Sequence, residues 1–374
     1  MALAKNAVSG VMTRLITSKS LTCFMHTKFF FYNCNLDSLR SDIVEFTSKN
    51  PQYDISIVAT MERYPLELIE ELIELLSTTS PRYSTLILDD CLYDLNIPLH
   101  STVRIIYIPY FAWKSYCNVF NNFQSRNKVW NPATNKALLL PGKTYKYNRI
   151  GLLYSFYQRS KLTNLQWSYY HDEQSSVMSK NFLPKELSDI EYDTFINTID
   201  KKLDDVSISM QNGSMHYVGF PYDVTLYSDT SLSIVSETED NRTDVSTQQC
   251  TEKIYRPILN KHPFIVAGNP YYLQNLKNKG YKTFENYLKL EYDSCEHIWD
   301  RMNKVVVNTE YFLAQLSDPS IVSAVRNDIE HNYNLILEIT KKLDIDLTKT
   351  FDMRPNLFVN FGIPRSLQYN RNTL

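Results

Sequence analysis

Residues 231–285 read SLSIVSETEDNRTDVSTQQCTEKIYRPILNKHPFIVAGNPYYLQNLKNKGYKTFE, and the order of signals in this stretch decides the fold. An apolar run from Ser231 to Glu237 ends in acids, and a polar loop follows it. A helix opens at Thr251-Glu252-Lys253, a buried strand runs from Pro263 to Gly268, and a second helix stops at Gly280. Strand, helix, strand, helix predicts parallel strands joined by crossover helices, an open α/β sheet. Such sheets bind ligands in the crevice beyond the carboxyl ends of their strands. Thr251 stands where an N-cap is needed, so the free N–H groups of the first turn, with Lys253 beside them, would turn positive charge to that crevice. A phosphate suits such a place. Glu252 would repel a phosphate at the same spot, so it serves otherwise, either as a first-turn acid that favours the helix dipole or as an acceptor for the paired hydroxyls of a ribose.

The run CTEKIYRPILNKHPFIVAGNPYYLQNLKNKGYKTFENYLKLEYDS, Cys250 to Ser294, resembles the carboxyl-terminal donor domain of GT-B glycosyltransferases. The group concerned is common in tailed-phage genomes and distantly similar to α-1,3-fucosyltransferases. The positions that carry the likeness are Glu237, Thr251, Glu252, Lys253, Tyr255, Arg256, Pro257, Pro263, Phe264, Ile265, Gly268, Gly280, Tyr281, Thr283, Phe284, Glu291, Tyr292 and Asp293. Upstream, PGKTYKYNRIGLLYSFY (Pro141 to Tyr157) is similar to the family's basic segment, with Asn148 where the family carries a His before its Arg. The resemblance implies an α/β protein of GT-B type, two Rossmann-like domains facing across a cleft, the second holding a UDP-, GDP- or CDP-linked sugar. It implies glycosyl transfer to an acceptor hydroxyl without a metal or other cofactor. Lys253, the helix start at Thr251 and Arg149 would hold the diphosphate, because a guanidinium can bind two phosphate oxygens at once. Glu252 would take the ribose, and Glu237 would orient either the sugar or Lys253.

A chain of 374 residues suits two domains of roughly 150 to 200 residues each. Residues 1–27 read as a lead-in, 28–140 as an amino-terminal Rossmann-like acceptor domain, and 141–230 as a basic connection and the start of the second domain. Residues 231–342 read as the nucleotide-sugar-binding domain with closing helices, and 343–374 as a tail. In the first domain, strands are expected at residues 28–33, 53–61, 85–90 and 103–109, with helices at 36–49 and from Pro65. No Gly-x-Gly-x-x-Gly turn is present, so a dinucleotide cofactor is not expected. Asp89, Asp90 and Glu62 fall at or just past strand ends, where a carboxylate can take the proton of an acceptor hydroxyl. Asp also caps turns readily, and the two readings coexist. The segment 111–123, FAWKSYCNVFNNF, reads as an aromatic helix that packs.

The net charge of −2 argues against a protein whose main work is gripping nucleic acid. Six cysteines with no Cys-x-x-Cys give neither a disulfide framework nor a metal signature, and a reducing, cytoplasmic compartment is expected, the host cytoplasm for a phage protein. No apolar run is long enough for a membrane span. A GT-A transferase would need Asp-x-Asp after a strand to hold its metal, and the one such match, Asp344-Ile-Asp346, falls at a helix end. The acceptor stays open between a hydroxymethylated base of phage DNA, flipped out of the duplex, and a surface or virion glycan. A GT-B scaffold kept as a structural or binding protein is the non-enzymatic alternative.

Overall fold

A computed structural model describes residues 26–30, 36–49, 54–59, 66–79, 84–89, 102–108, 112, 129–142, 147–169, 183, 187–200, 225–237 and 250–351. The chain divides into two compact units, Met1–Tyr110 with Leu347–Met353, and Phe111–Asp346 with Arg354–Leu374.

The first unit runs β1 (His26–Phe30), α1 (Leu36–Lys49), β2 (Asp54–Ala59), α2 (Leu66–Thr79), β3 (Ser84–Asp89) and β4 (Val103–Ile108). The strands are parallel and lie in chain order, β1-β2-β3-β4. Ile55 and Ile57 of β2 share a face with Leu86 and Leu88 of β3, as the two-residue repeat of a strand requires. Against that face lie Leu39, Ile43 and Phe46 of α1 and Ile69, Leu72, Ile73, Leu75 and Leu76 of α2, one apolar cluster. Both helices occupy one face because right-handed crossovers that always step the same way stack on the same side.

Among the described residues, the first element of the second unit is a 3₁₀ turn at Pro132–Thr134. There follow β5 (Ala137–Gly142), a π-helical turn at Tyr147–Gly151, α3 (Leu152–Gln158), β6 (Leu165–Tyr169), α4 (Asp189–Ile199), α5 (Thr225–Ser228) and β7 (Leu232–Ser236). The chain continues through α6 (Glu252–Leu259), β8 (Phe264–Ala267), α7 (Tyr272–Asn278), α8 (Ile298–Gln315) and α9 (Pro319–Phe351). Its four strands are parallel in the order β6-β5-β7-β8. Leu138 of β5 packs with Leu226 and Tyr227 of α5, while α8 lies against α3, β7 and β8.

The strand–helix–strand–helix order read from residues 231–285 is present as β7, α6, β8 and α7. Two boundaries differ from the sequence reading. Residues 129–140 belong to the second unit, not the first, because β5 hydrogen-bonds to β6 and β7. Helix α9 runs on to Phe351, past the residue 343 at which a tail was expected. Buried amides fasten the closing helices to the loop before them. Asn308 Oδ1 accepts from the Lys289 and Leu290 amides while its Nδ2 donates to the Leu290 carbonyl, and Asn332 embraces both backbone groups of Lys282 in the same way. No described helix is long and apolar enough to cross a membrane.

Candidate functional site

The second sheet winds in two senses. From β5 the chain steps to β6 on one side, returns to β7 on the other side of β5, and continues to β8. Crossovers that leave β5 and β7 in opposite directions open a crevice at the carboxyl ends of those two strands, the topological switch point of an α/β sheet. The turn at Tyr147–Gly151 follows β5 and helix α6 follows β7, so both lead away from this point. Arg149, Glu237, Thr251, Glu252 and Lys253, the donor-site residues expected from sequence, stand on these connections.

Asn148 stitches the crevice together. It is fully buried; its Nδ2 donates to the carbonyls of Glu237 (2.6 Å) and Ala267 (3.1 Å), and its own carbonyl accepts from Ser236 Oγ at 2.8 Å. The side chain where the resembling family carries His is thus an amide that binds the ends of β7 and β8. Arg149, next in the turn, is buried.

Thr251 is the N-cap of α6, with extended backbone and its hydroxyl accepting from the Lys253 amide at 3.4 Å. The same oxygen donates to Glu237 Oε2 at 2.6 Å and accepts from Lys253 Nζ at 3.3 Å. Lys253 Nζ also lies 3.1 Å from Glu252 Oε1. Burial pushes the Glu252 carboxyl up, but the charges of Lys253 and Arg256 outweigh it and hold the group below the usual carboxylate range. The second oxygen of Glu237 accepts from the Tyr272 hydroxyl at 2.7 Å. Glu237 is therefore held by two hydroxyls inside the protein, which favours its role toward Lys253 over contact with a sugar.

Two cationic heads, Lys253 and Arg256, stand with the two acids Glu237 and Glu252 at this end of the sheet. That balance, with the amino end of α6, suits an anion at the open edge. The cavity between α6 and the sheet, lined by Leu138, Ser233, Val235, Lys253 and Arg256 among others, measures about 40 Å³. It is large enough to hold water.

Of the sequence candidates for a base, Asp89 closes β3, its backbone paired with Ile108, in the unit whose strands wind in one sense. Asp90 and Glu62 lie outside the described residues.

Several positions that carry the resemblance have structural roles. Asp293 receives the Leu273 and Gln274 amides and so caps α7, and burial raises its carboxyl to about 6 against those two donors. The Tyr292 hydroxyl accepts from the Val266 amide on the open edge of β8, and Glu291 binds Ser294. Gly280 has φ +90°, a conformation that favours glycine. Sequence reasoning passed over Tyr272, one of 27 tyrosines, and the buried amide role of Asn148. The family's His at that position was the available signal for the latter.

No family model matches the chain, and neither a curated protein nor a solved structure does.

Proposed function

We infer that the chain is a glycosyltransferase of GT-B type that holds a nucleoside-diphosphate sugar at the switch point of its second sheet. The observation that supports this reading is the cluster at the amino end of α6: a capped helix start, a lysine fixed beside it, and a buried acid held ionised next to them. In the reaction the bond between the sugar's anomeric carbon and the diphosphate oxygen breaks. A bond to the acceptor oxygen forms, and the acceptor proton passes to a base. Charge grows on the departing diphosphate, and Lys253 with the first-turn N–H groups would stabilise it. Arg149 would assist from the preceding turn. Fixed positive groups of this kind lower barriers because they need no rearrangement as the charge appears. Glu252 remains the residue for the ribose hydroxyls, and Asp89, Asp90 and Glu62 remain the candidate bases, separable by an alanine at each.

The acceptor in this reading is a hydroxyl of a modified base in duplex DNA or of a glycan. Binding to DNA that falls steeply with salt would select the first, and indifference to DNA the second. Thermal unfolding with UDP, GDP, CDP and their sugars tests the donor. One nucleotide series should raise the midpoint, since a ligand that binds only the folded state stabilises it by mass action. Turnover of that sugar should survive EDTA. A panel that leaves the midpoint unmoved would overturn the reading.

A further inference from the structure

We propose that Tyr272 is a positioning residue, acting through Glu237 and Thr251 to fix the head of Lys253 at the start of α6. The path is continuous: Tyr272 Oη donates to Glu237 Oε1 at 2.7 Å, and Thr251 Oγ1 donates to Glu237 Oε2 at 2.6 Å. Lys253 Nζ then donates to Thr251 Oγ1 at 3.3 Å. A hydroxyl has one proton to give and two lone pairs to offer. Because Glu237 takes the Thr251 proton, the lone pairs of Thr251 are left for the Lys253 amide and ammonium. Glu237 can impose this direction only while it is itself held, and Tyr272 holds it from the other side.

Three further features fit. Tyr272, Glu237 and Thr251 are buried, so water does not compete for these bonds. Burial, with Cys250 and Glu237 nearby, pushes the Tyr272 phenol well above its ordinary range, so it keeps its proton and stays a donor. Gly268 lies at the junction: a β-carbon there would stand 3.5 Å from both the Glu237 Cβ and the Tyr272 ring, and 3.3 Å from Val266 Cγ1. Glu237 and Tyr272 therefore pack at ordinary contact distance around this position. Tyr272 opens α7, 19 residues after Lys253 in sequence, and the relay links the first turns of the two helices that follow β7 and β8.

The side chain of Lys253 is 24% exposed, so its amine can be labelled in the intact protein. Limited acylation with acetic anhydride, read by peptide mass spectrometry, gives its rate relative to the exposed Lys282 and Lys289. Tyr272→Phe keeps the ring and removes the donor. It should raise the relative rate at Lys253 by about tenfold, the size of one hydrogen bond to a charged group. Thr251→Val should do the same, and Thr251→Ser should restore the wild-type rate. Tyr287→Phe removes a hydroxyl that serves Asp328 and should leave Lys253 unchanged. A Lys253 rate that stays at the wild-type value in Tyr272→Phe overturns the relay, whatever Thr251→Val does. Should Tyr272→Phe fail to fold, Glu237→Gln decides: it breaks the link between Tyr272 and Thr251 and should raise the Lys253 rate likewise, and an unchanged rate overturns the relay. The consequence for the donor, a higher KM for the nucleotide-sugar in Tyr272→Phe, rests on the function proposed above. The two ideas fail separately, since the labelling needs no nucleotide.

Discussion

The two sheets use the same connection, parallel strands joined by a crossover, and differ in which side the next strand takes. In the first, every strand is added beyond the last, both described helices share one face, and the core is aliphatic but for Phe46. In the second, the chain reverses after β6, and the reversal leaves a crevice between the ends of β5 and β7. Buried polar groups follow the same division. Among the described residues, those of the first unit are Ser84 and Thr85, whereas the second buries Asn148, Arg149, Glu237, Glu252, His262, Asp293 and Arg301. Buried charges cost stability unless paired, and apolar residues of similar volume would often serve a fold better. That concentration distinguishes the second unit from the first.

Lys253 is where activity and stability should part most widely. Lys253→Ala should lower turnover roughly 10² to 10³-fold, the usual loss when one group stabilising developing charge is removed. Denaturant unfolding should show a stability cost of only about 1 kcal/mol, because the lysine is partly exposed and Arg256 still faces Glu252. The opposite pattern belongs to the first sheet. Ile57→Ala, at a fully buried position of β2, should cost about 3 kcal/mol of stability. Any nucleotide-induced rise in midpoint should remain in that variant.

The buried titratable groups of the second unit give a smaller effect. His262 is buried, with Nδ1 at Ser233 Oγ and Nε2 at the Thr230 carbonyl, and burial lowers it to about 4. Its folded pKa lies below its unfolded value near 6.5, so its stabilisation is present above that value and is lost as pH falls toward the folded one. Between about pH 7 and pH 5 that loss is about 2 kcal/mol. Asp293 has the opposite sign. Its carboxyl is raised to about 6 from 3.8, so its contribution is present below pH 3.8 and is lost as pH rises through 6. Lowering the pH from about 7 to about 5 therefore returns about 1 kcal/mol. The second offsets about half of the first in the wild type. Urea unfolding at about pH 7 and about pH 5 should show Asp293→Asn losing stability on acidification and His262→Asn gaining it. Parallel slopes in the two variants would contradict the assignment.

The elements of the second half of the site were legible because each carries its signal within itself. β7 is an apolar run, α6 opens on a capping Thr, β8 is β-branched and apolar, and Gly280 supplies the left-handed stop after α7. β5 was not legible. Its Ala137-Leu-Leu-Leu140 is short and runs into Pro141-Gly142, which reads as a strand ending at an edge. Its central place comes from pairing with Leu232 to Ile234, far along the chain, and its register shifts between Leu139 and Gly142, where Pro141 lacks an amide. Strand order is likewise a tertiary fact, so the sequence reading could expect a crevice without locating the reversal that makes it. In the site, Thr251, Glu252 and Lys253 are adjacent and announced themselves. Tyr272 meets Glu237 across 35 residues, and no spacing rule connects a tyrosine to a carboxylate over such a distance.

Whether the start of α6 grips a diphosphate can be read by hydrogen exchange over the whole chain, with and without the nucleoside diphosphate that raises the unfolding midpoint. Exchange should slow at the carboxyl end of β7 and in the first turn of α6, residues 235–256, and that protection should vanish in Lys253→Ala. Protection confined to the strands β1 to β4, or protection at 235–256 that persists without the lysine, would contradict it.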